Sequence, residues 1–317
     1  MLSINVGMKY AEVLTPISKN ASEMMFMIEG EEIKSIHPIA SNIPNYFFTK
    51  NTSIKTLAKL HFESIDSKSL LTDRLKLENF TAESILISST NGDMILDKSI
   101  NEQLQVASIT KLLSILTALK YEDNLDLYFT IPEETDEVTG NVLGFQKGEK
   151  YKFADLIAAS LIFSSNDAIR AIETNIEGLY RISFVEEMNK LASDLNMTSS
   201  SFGDSIGFDL PNSYSTAEDI MKLSKFAYQN DIIRRYSTVK EFRIYSEGGK
   251  VISFRNTNEM LKYENVYGLK TGTTEQAKEC LVMILRHYDT DYYVVILGSG
   301  DRYQDATKIY QIMESLK

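Results

Sequence analysis

The sequence predicts an α+β fold with a mostly antiparallel sheet and helices on its faces. Three observations predict it: apolar strand-like segments at 84–97 and again at 242–297, helical patterns between them, and a closing helix. Strands near both ends of a chain can complete one sheet, with a helical subdomain inserted between them. We expect this organisation over residues 81–317, and we interpret residues 1–80 as an N-terminal extension or linker of unknown role.

The first half of the organised region predicts a hairpin followed by helices. Segments 84–88 and 94–97 flank Asn91-Gly92, which is the strongest short hairpin signal. A helix is expected from Ser108 to about Lys120, since its apolar residues recur at helical spacing: Leu112, Ile115, Leu116 and Leu119. The nearly all-apolar segment 153–163 predicts a buried helix, and further helices are expected at 168–176 and 184–195.

The second half returns to strands. Ser215 followed by Glu218 forms a capping-box pattern, which predicts that a helix begins there and runs to about Tyr228. Strands are expected on either side of Gly248-Gly249 and in three later segments: 242–245, 251–254, 266–273, 281–286 and 292–297. A helix from about 303 to 316 closes the chain.

Length and composition limit what this protein can be. Its 317 residues suffice for a large domain plus an extension, and 43% hydrophobic residues can form a sizeable core. The formal net charge of −11 argues against nucleic acid, whose phosphates need a basic surface. The single cysteine, Cys280, cannot form an internal disulfide or a cysteine-based metal site, and the three histidines are isolated. The sequence therefore shows no pattern of cysteine or histidine ligands for a metal.

Ser108 and Lys111 stand three residues apart at the start of their helix and so share one face. An apolar environment disfavours the ammonium form and can lower a lysine pKa by several units. A neutral amine beside a hydroxyl can accept its proton and make the oxygen a nucleophile. The alternative is an ordinary amphipathic helix with an exposed lysine, so the pair needs support from the rest of the chain.

A second motif, Ser164-x-Asn166, follows the buried segment 153–163. A serine there can pass a proton to a leaving group, and an asparagine amide can hold both a lysine and a substrate carbonyl. Serine and asparagine are also preferred helix caps, which is the alternative interpretation.

A third motif, Lys270-Thr271-Gly272-Thr273, lies on a predicted strand. Lys270 offers a positive charge and Thr271 a hydroxyl to a substrate carboxylate, while Gly272 leaves room for a ligand along the strand. The backbone N–H of Thr273 could form an oxyanion hole together with that of Ser108. The alternative is a strand with a glycine bulge.

In this order, Ser-x-x-Lys, Ser-x-Asn and Lys-Thr-Gly are the signature of penicillin-binding proteins and class A β-lactamases. Over roughly residues 82–316 the chain resembles the serine-type D-alanyl-D-alanine carboxypeptidases, the low-molecular-mass penicillin-binding proteins. Segments around the motifs share in the resemblance, among them LIFSSNDAIRAI and NVYGLKTGTTEQAKECLVMIL. The resemblance implies a β-lactamase/transpeptidase-like fold.

Three positions depart from the usual pattern of that family. Val106 stands where the family usually has proline, Ser165 stands where it has glycine, and Lys278 stands where glycine is frequent. None of these changes removes a catalytic group, although we expect Lys278 to alter the floor of the site. Arg302 is a further candidate for binding a carboxylate, but as a lone arginine we interpret it as solvated.

The resemblance implies that Ser108 attacks the carbonyl of the penultimate D-Ala of a peptidoglycan stem peptide, with Lys111 as base. Ser164, with Lys270 nearby, would relay a proton to the departing D-Ala. The substrate-binding residues that the resemblance implies are Asn166, Lys270, Thr271, Gly272 and Thr273. β-Lactams would acylate Ser108 as substrate mimics, and no cofactor or metal is needed.

Three alternatives stay open. A DD-endopeptidase that cleaves peptidoglycan cross-links would use the same site with a different groove. A class A β-lactamase would need a glutamate on the loop past the second motif, and no glutamate lies between Met188 and Ala217. A β-lactam-sensing module would be acylated without turnover, but the intact serines and lysines of the motifs argue against it.

The resemblance also implies an extracytoplasmic location, because peptidoglycan lies outside the cytoplasmic membrane. The first residues lack the basic start and apolar core of a signal peptide, and no run of about 18 apolar residues is present. We therefore expect that a signal sequence or anchor has been lost upstream of residue 1. Contact with the membrane is expected only through such an anchor.

Overall fold

The computed structural model describes residues 67–315 and, before them, the backbone of four strands: Leu2–Val6 (β1), Lys9–Val13 (β2), Met24–Glu29 (β3) and Glu32–Pro38 (β4). The chain divides into two compact units, Met1–Arg74 and Leu75–Lys317. In the first unit the four strands form a sheet of order β2-β1-β3-β4. Strands β1 and β3 are parallel, and the other neighbouring strands are antiparallel.

The strands of the second unit lie towards its two ends, as the sequence predicts. They are Ser84–Ser89 (β5), Met94–Lys98 (β6), Tyr128–Thr130 (β7), Lys150–Lys152 (β8), Glu241–Tyr245 (β9), Val251–Arg255 (β10), Val266–Thr274 (β11), Lys278–His287 (β12) and Thr290–Ser299 (β13). Five of them form the main sheet, in the order β11-β12-β13-β5-β6, and every neighbouring pair is antiparallel. The early hairpin therefore completes a sheet begun by the last three strands, which confirms the predicted α+β fold.

The described helices lie between the early and late strands of the second unit, except the last and the first, which spans the boundary between the two units. They are Ser67–Leu77 (α1), Thr110–Tyr121 (α2), Phe153–Ala158 (α3), Asn166–Tyr180 (α4), Phe184–Asp194 (α5), Ala217–Gln229 (α6), Asp231–Ser237 (α7) and Arg302–Glu314 (α8). A 3₁₀ turn at Ala107–Ile109 leads into α2, and a π-helical turn at Ala159–Phe163 extends α3. The sequence did not predict α1, α7, β7 or β8, since these elements are short or lack a clear apolar period.

The inserted helices and the main sheet together form the hydrophobic core. Helix α2 packs against α4, α5 and α6, while α6 packs on β13 and β5 and α8 packs on β12 and β13. Consecutive residues in the middle of β12 and β13 are all buried, and successive strand residues point to opposite faces. Both faces of the sheet are therefore covered, so β11, which carries the third motif, pairs with a closely packed strand.

One local prediction is wrong by a single residue. The cap of α6 is Thr216, whose hydroxyl accepts a hydrogen bond from the Asp219 amide at 3.1 Å, and not Ser215. Ser215 instead hydrogen-bonds the Ser200 hydroxyl at 2.7 Å, and its backbone pairs with Leu104 in an isolated bridge. Thr216 and Asp219 have the same spacing as Ser215 and Glu218, one position later, so the sequence alone allows either residue to cap the helix. The contacts of Ser215 with Ser200 and Leu104 leave Thr216 as the cap.

Candidate active site

The first motif lies at the junction of the 3₁₀ turn and α2. Ala107 has a positive φ of 48°, and Ser108 follows it half-buried in the turn. Lys111 lies in the first turn of α2, and its Nζ donates to Ser108 Oγ at 2.7 Å. The predicted pairing of a hydroxyl and an amine is therefore formed, with the helix fixed behind it by the buried residues Leu112, Ile115 and Leu116.

Lys111 is completely buried, which decides its protonation. Its Nζ donates a second hydrogen bond to the Ile206 carbonyl at 3.0 Å. Burial disfavours the ammonium form and lowers the pKa of Lys111 to about 7, although the carboxylates of Asp204 and Asp167 oppose the shift. A large fraction of this lysine is thus a neutral amine near neutral pH, held against the serine oxygen.

The loop at 198–213, in which the sequence indicated no catalytic residue, orients Lys111. The Asp204 carboxylate accepts hydrogen bonds from the amides of Ile206, Gly207 and Phe208 at 2.6, 2.5 and 3.2 Å. Ser114, one turn along α2, donates to the Ser205 carbonyl at 2.7 Å. These contacts direct the Ile206 carbonyl at the lysine, so Asp204 positions the base without touching it.

The second motif begins at the end of the π-helical turn. Ser164 has a left-handed backbone, with a φ of 67°, and only 6% of its surface is exposed. Lys270 Nζ donates to Ser164 Oγ at 2.7 Å and to the Thr271 carbonyl at 2.9 Å. Burial, with repulsion from Lys111 and Arg302, holds the pKa of Lys270 well below its usual value. The site thus contains a second hydroxyl–amine pair.

Asn166 opens helix α4 and is 5% exposed. Its Nδ2 donates to the Thr139 carbonyl at 2.7 Å, and its backbone amide donates to the Asn141 carbonyl at the same distance. Among the described residues no hydrogen bond joins Asn166 to a lysine, so the contact with a lysine that the motif suggested is not formed. The loop 139–141 occupies the amide donor instead, while the buried Oδ1 has no partner within the described part of the chain.

Ser165 and Asp167 anchor a neighbouring loop. The Ser165 hydroxyl donates to the Asp167 carboxylate, which also accepts from the amides of Leu143 and Gly144 at 3.0 and 2.8 Å. Serine at the position where glycine was expected therefore has a structural partner. Lys278, another departure from the usual pattern of the family, is exposed and forms an ion pair with Glu83 near the start of β5.

Strand β11 brings the third motif against the first. An added Cβ at Gly272 would lie 2.9 Å from the Val106 carbonyl oxygen and 3.0 Å from the Ser108 nitrogen. The space that the missing side chain leaves is therefore filled by the 3₁₀ turn, rather than by the ligand that the sequence suggested. Lys270 lies two residues before Gly272 on β11 and hydrogen-bonds Ser164. Strand β11 therefore contacts the first motif through Gly272 and the second motif through Lys270.

Arg302 corrects the interpretation from sequence. Only 11% of its side chain is exposed, and it is not a solvated surface residue. Its Nη1 donates to the carbonyls of Gly272 and Cys280 at 2.5 and 3.0 Å, and its Nη2 donates to Thr273 Oγ1 at 2.6 Å. Because Thr273 is exposed, the guanidinium stands beside an accessible hydroxyl at the end of the motif.

This arrangement defines the class of protein. A serine oxygen on a buried lysine, a second serine–lysine pair and a Lys-Thr-Gly strand, on an α+β fold, are the features of penicillin-binding serine peptidases. The chain belongs to the D-alanyl-D-alanine carboxypeptidase family, whose profile matches residues 73–300.

Curated relatives include both carboxypeptidases and endopeptidases. The chain is 27% identical over 230 residues to D-alanyl-D-alanine carboxypeptidase DacF of Bacillus subtilis, covering 71% of this chain and 59% of that protein. It is 31% identical over 233 residues to D-alanyl-D-alanine carboxypeptidase DacC of Escherichia coli, covering 68% and 56%. It is 27% identical over 248 residues to a D-alanyl-D-alanine endopeptidase of Pseudomonas aeruginosa, covering 76% and 79%.

Solved structures share the fold. The Streptomyces K15 DD-transpeptidase superposes with a TM-score of 0.68 at 22% identity, over 75% of this chain and 98% of that one. Penicillin-binding protein D2 of Listeria monocytogenes, in its ampicillin-bound form, gives a TM-score of 0.64 at 21% identity, over 74% and 98%. At these identities the likeness supports the fold.

Proposed function

We propose that this protein is a serine DD-carboxypeptidase that removes the terminal D-Ala from peptidoglycan stem peptides through an acyl-enzyme on Ser108. The observation that supports this most is the pair of serine–lysine contacts, Ser108–Lys111 and Ser164–Lys270, each at 2.7 Å and joined through β11. One pair can activate a nucleophile while the other delivers a proton to a leaving group. Residues 81–317 form the proposed catalytic domain.

Acylation uses the first pair. The neutral Lys111 amine takes the Ser108 proton as Oγ attacks the carbonyl of the penultimate D-Ala. Negative charge develops on that carbonyl oxygen and is stabilised by the N–H groups of Ser108 and Thr273. The close contact between Gly272 and the 3₁₀ turn supports this assignment, because it sets the Ser108 amide beside β11.

Loss of D-Ala uses the second pair. The Ser164 hydroxyl gives its proton to the departing amine, and the proton that Lys111 took from Ser108 replaces it, with Lys270 holding the Ser164 oxygen. The terminal carboxylate accepts hydrogen bonds from the hydroxyls of Thr271 and Thr273 and from Lys270, and Arg302 supplies positive charge. Asn166 is left to contact the substrate amide through its free Oδ1. Water then attacks the ester, releasing the shortened peptide and returning a proton to Ser108.

The proposed reaction also indicates which molecules the protein binds and where in the cell it acts. A β-lactam carries a strained amide and a carboxylate, so it acylates Ser108 as a substrate mimic. The substrate lies outside the cytoplasmic membrane, which makes the protein extracytoplasmic. None of the described helices is long and apolar enough to cross a bilayer. The formal net charge of −11 argues against nucleic acid as a partner.

Labelled penicillin and a synthetic pentapeptide ending in D-Ala-D-Ala test the proposal together. Mass spectrometry after tryptic digestion is expected to find the penicilloyl adduct on the peptide containing Ser108 and on no other. The pentapeptide is expected to lose one D-Ala per chain. Rapid catalytic hydrolysis of penicillin would instead favour a β-lactamase, and a stable adduct with no D-Ala released from any peptide would favour a sensing module.

The acylation rate is expected to rise with pH through about 7, the lowered pKa of Lys111. The neutral amine is the base, so protonation below that pH removes the active form. One pH unit below the midpoint, only about a tenth of the lysine is neutral, and the rate should fall about tenfold from its plateau. Stopped-flow acylation by a chromogenic cephalosporin between pH 5.5 and 9 measures this. A rate that stayed level over that range would remove Lys111 as the base.

A further inference from the structure

Thr257, two residues beyond the end of β10, has no role in the steps proposed above but contacts the proposed carboxylate site. Its Oγ1 lies 2.6 Å from Thr271 Oγ1, and either hydroxyl can be the donor in that contact. Thr271 is only 5% exposed, whereas Thr257 is half-buried. A proposed ligand of the terminal carboxylate therefore has a second hydroxyl as its partner inside the protein.

The backbone of Thr257 is held from two sides. Its N–H donates to the Ile162 carbonyl at 3.0 Å, in the π-helical turn that leads to Ser164. Its carbonyl accepts a hydrogen bond from the Tyr303 hydroxyl, which belongs to the first turn of α8. With the backbone fixed at both groups, the short side chain keeps its hydroxyl at one place beside Thr271.

The second hydroxyl of the carboxylate site already has a partner that can only donate. Arg302 Nη2 donates to Thr273 Oγ1 at 2.6 Å, and a guanidinium has no lone pair with which to accept. The Thr273 oxygen must therefore accept, and its own proton is left for the substrate. Arg302 and Tyr303 are neighbours at the start of α8, whose first turn is capped by the Asp301 carboxylate. One capped helix thus contacts both sides of the site.

The chemistry of the ligand determines the direction of the Thr257–Thr271 hydrogen bond. A hydroxyl has one proton and two lone pairs, whereas a carboxylate can only accept. The Thr271 hydroxyl must therefore donate its proton to the substrate carboxylate. Thr257 then has to donate to Thr271 Oγ1, because the hydroxyl proton of Thr271 is in use. In such a chain each hydrogen bond polarises the next one and strengthens it.

We propose that Thr257 is a positioning residue that makes the site selective for leaving groups with an ionised carboxylate. Its hydroxyl donates to Thr271 and thereby directs the Thr271 proton at the carboxylate, as Arg302 does for Thr273. A leaving group without a carboxylate gains nothing from this chain of hydrogen bonds. The inference rests on the proposed function, which assigns the Thr271 hydroxyl to the terminal carboxylate.

Two substrates with the same acyl half test the inference. One ends in D-Ala-D-Ala, and in the other a phenyl ester replaces the terminal D-Ala. In Thr257→Val, where a methyl group replaces the hydroxyl, we expect kcat/KM for D-Ala release to fall about tenfold, since one hydrogen bond behind the ligand is lost. Most of the change should be a rise in KM, because the carboxylate is bound both before and during acylation. For the phenyl ester, kcat/KM should stay within about twofold of the unsubstituted protein.

Two further variants provide the controls. Thr257→Ser keeps the hydroxyl and should stay within about twofold of the unsubstituted protein with both substrates. Thr238→Val removes the hydroxyl of another half-buried threonine, which donates to the Arg235 carbonyl at 2.9 Å beyond the end of α7, and should change neither substrate. Normal turnover of the phenyl ester by Thr257→Val also shows that this variant is folded.

The outcomes separate the two proposals. If Thr257→Val releases D-Ala as well as the unsubstituted protein, or loses activity equally with both substrates, Thr257 does not direct the Thr271 proton and the inference is wrong. If the unsubstituted protein neither releases D-Ala nor is acylated at Ser108, the proposed function fails and the inference fails with it.

Discussion

Replacement of Ser108 by alanine is expected to abolish covalent labelling by penicillin and to lower D-Ala release by a factor of about 10⁴ or more, as loss of a nucleophile does in serine hydrolases. No other described hydroxyl combines half-exposure with the Lys111 amine at 2.7 Å. The Ser164 hydroxyl bonds Lys270 instead and is nearly buried. Intact-protein mass spectrometry and a D-Ala assay measure the two losses.

A second serine on α2 provides the control. Ser114 lies two helical turns from Ser108, is fully buried and donates to the carbonyls of Thr110 and Ser205. Ser114→Ala should lower stability and slow acylation, because Ser114 helps to direct the Ile206 carbonyl at Lys111, but the penicilloyl adduct should still form at Ser108. D-Ala release by Ser108→Ala at the rate of the unsubstituted protein would overturn the assigned nucleophile, and with it the proposed function.

Gly207→Ala is expected to lower the acylation rate by about 10²-fold or more, because a misplaced reacting group loses its orientation. Gly207 has a φ of +94°, and an added Cβ would lie 2.0 Å from the Ala107 carbonyl oxygen and 2.8 Å from Thr110 Oγ1. The Ala107–Ser108 peptide would therefore have to move, and it carries both the nucleophile and the proposed oxyanion donor. Strain at the left-handed backbone adds about 1–3 kcal/mol of destabilisation.

The variant Gly249→Ala separates the effect of backbone strain from the effect of the contact with Ala107. Gly249 also has a positive φ, +84°, but nothing lies within 4 Å of an added Cβ there. This variant should lose in urea denaturation only the stability that the positive φ costs, and it should still react with a chromogenic cephalosporin at nearly the normal rate. Equal acylation rates for the two alanine variants would show that the Gly207–Ala107 contact does not position Ser108.

Local patterns predicted most of the fold. The Asn91-Gly92 turn, the apolar spacing behind Ser108 and the paired strand segments of the last third all became the expected elements, because each depends on neighbours along the chain. The five-stranded antiparallel sheet from both ends was predicted as well. Short elements such as α7 and β7 were not, since a few residues give too little periodicity.

The sequence likewise predicted part of the candidate site. The order and spacing of Ser108, Lys111, Ser164 and Lys270 are properties of the sequence, and their chemical types limit what a site made of them can do. The resemblance to a family rests on the same local segments, and the match over residues 73–300 bears it out.

By itself, the sequence determined most of the longer elements after residue 81, which hydroxyls and amines are available, and the family. Only the tertiary structure decided their environment: that Lys111 is wholly buried, that Arg302 lies beside Thr273 and is not solvated, and that Gly272 admits the 3₁₀ turn. The reason is physical. Burial, and with it pKa and charge pairing, depends on residues far apart along the chain, such as Ile206 against Lys111, and no local period encodes those contacts.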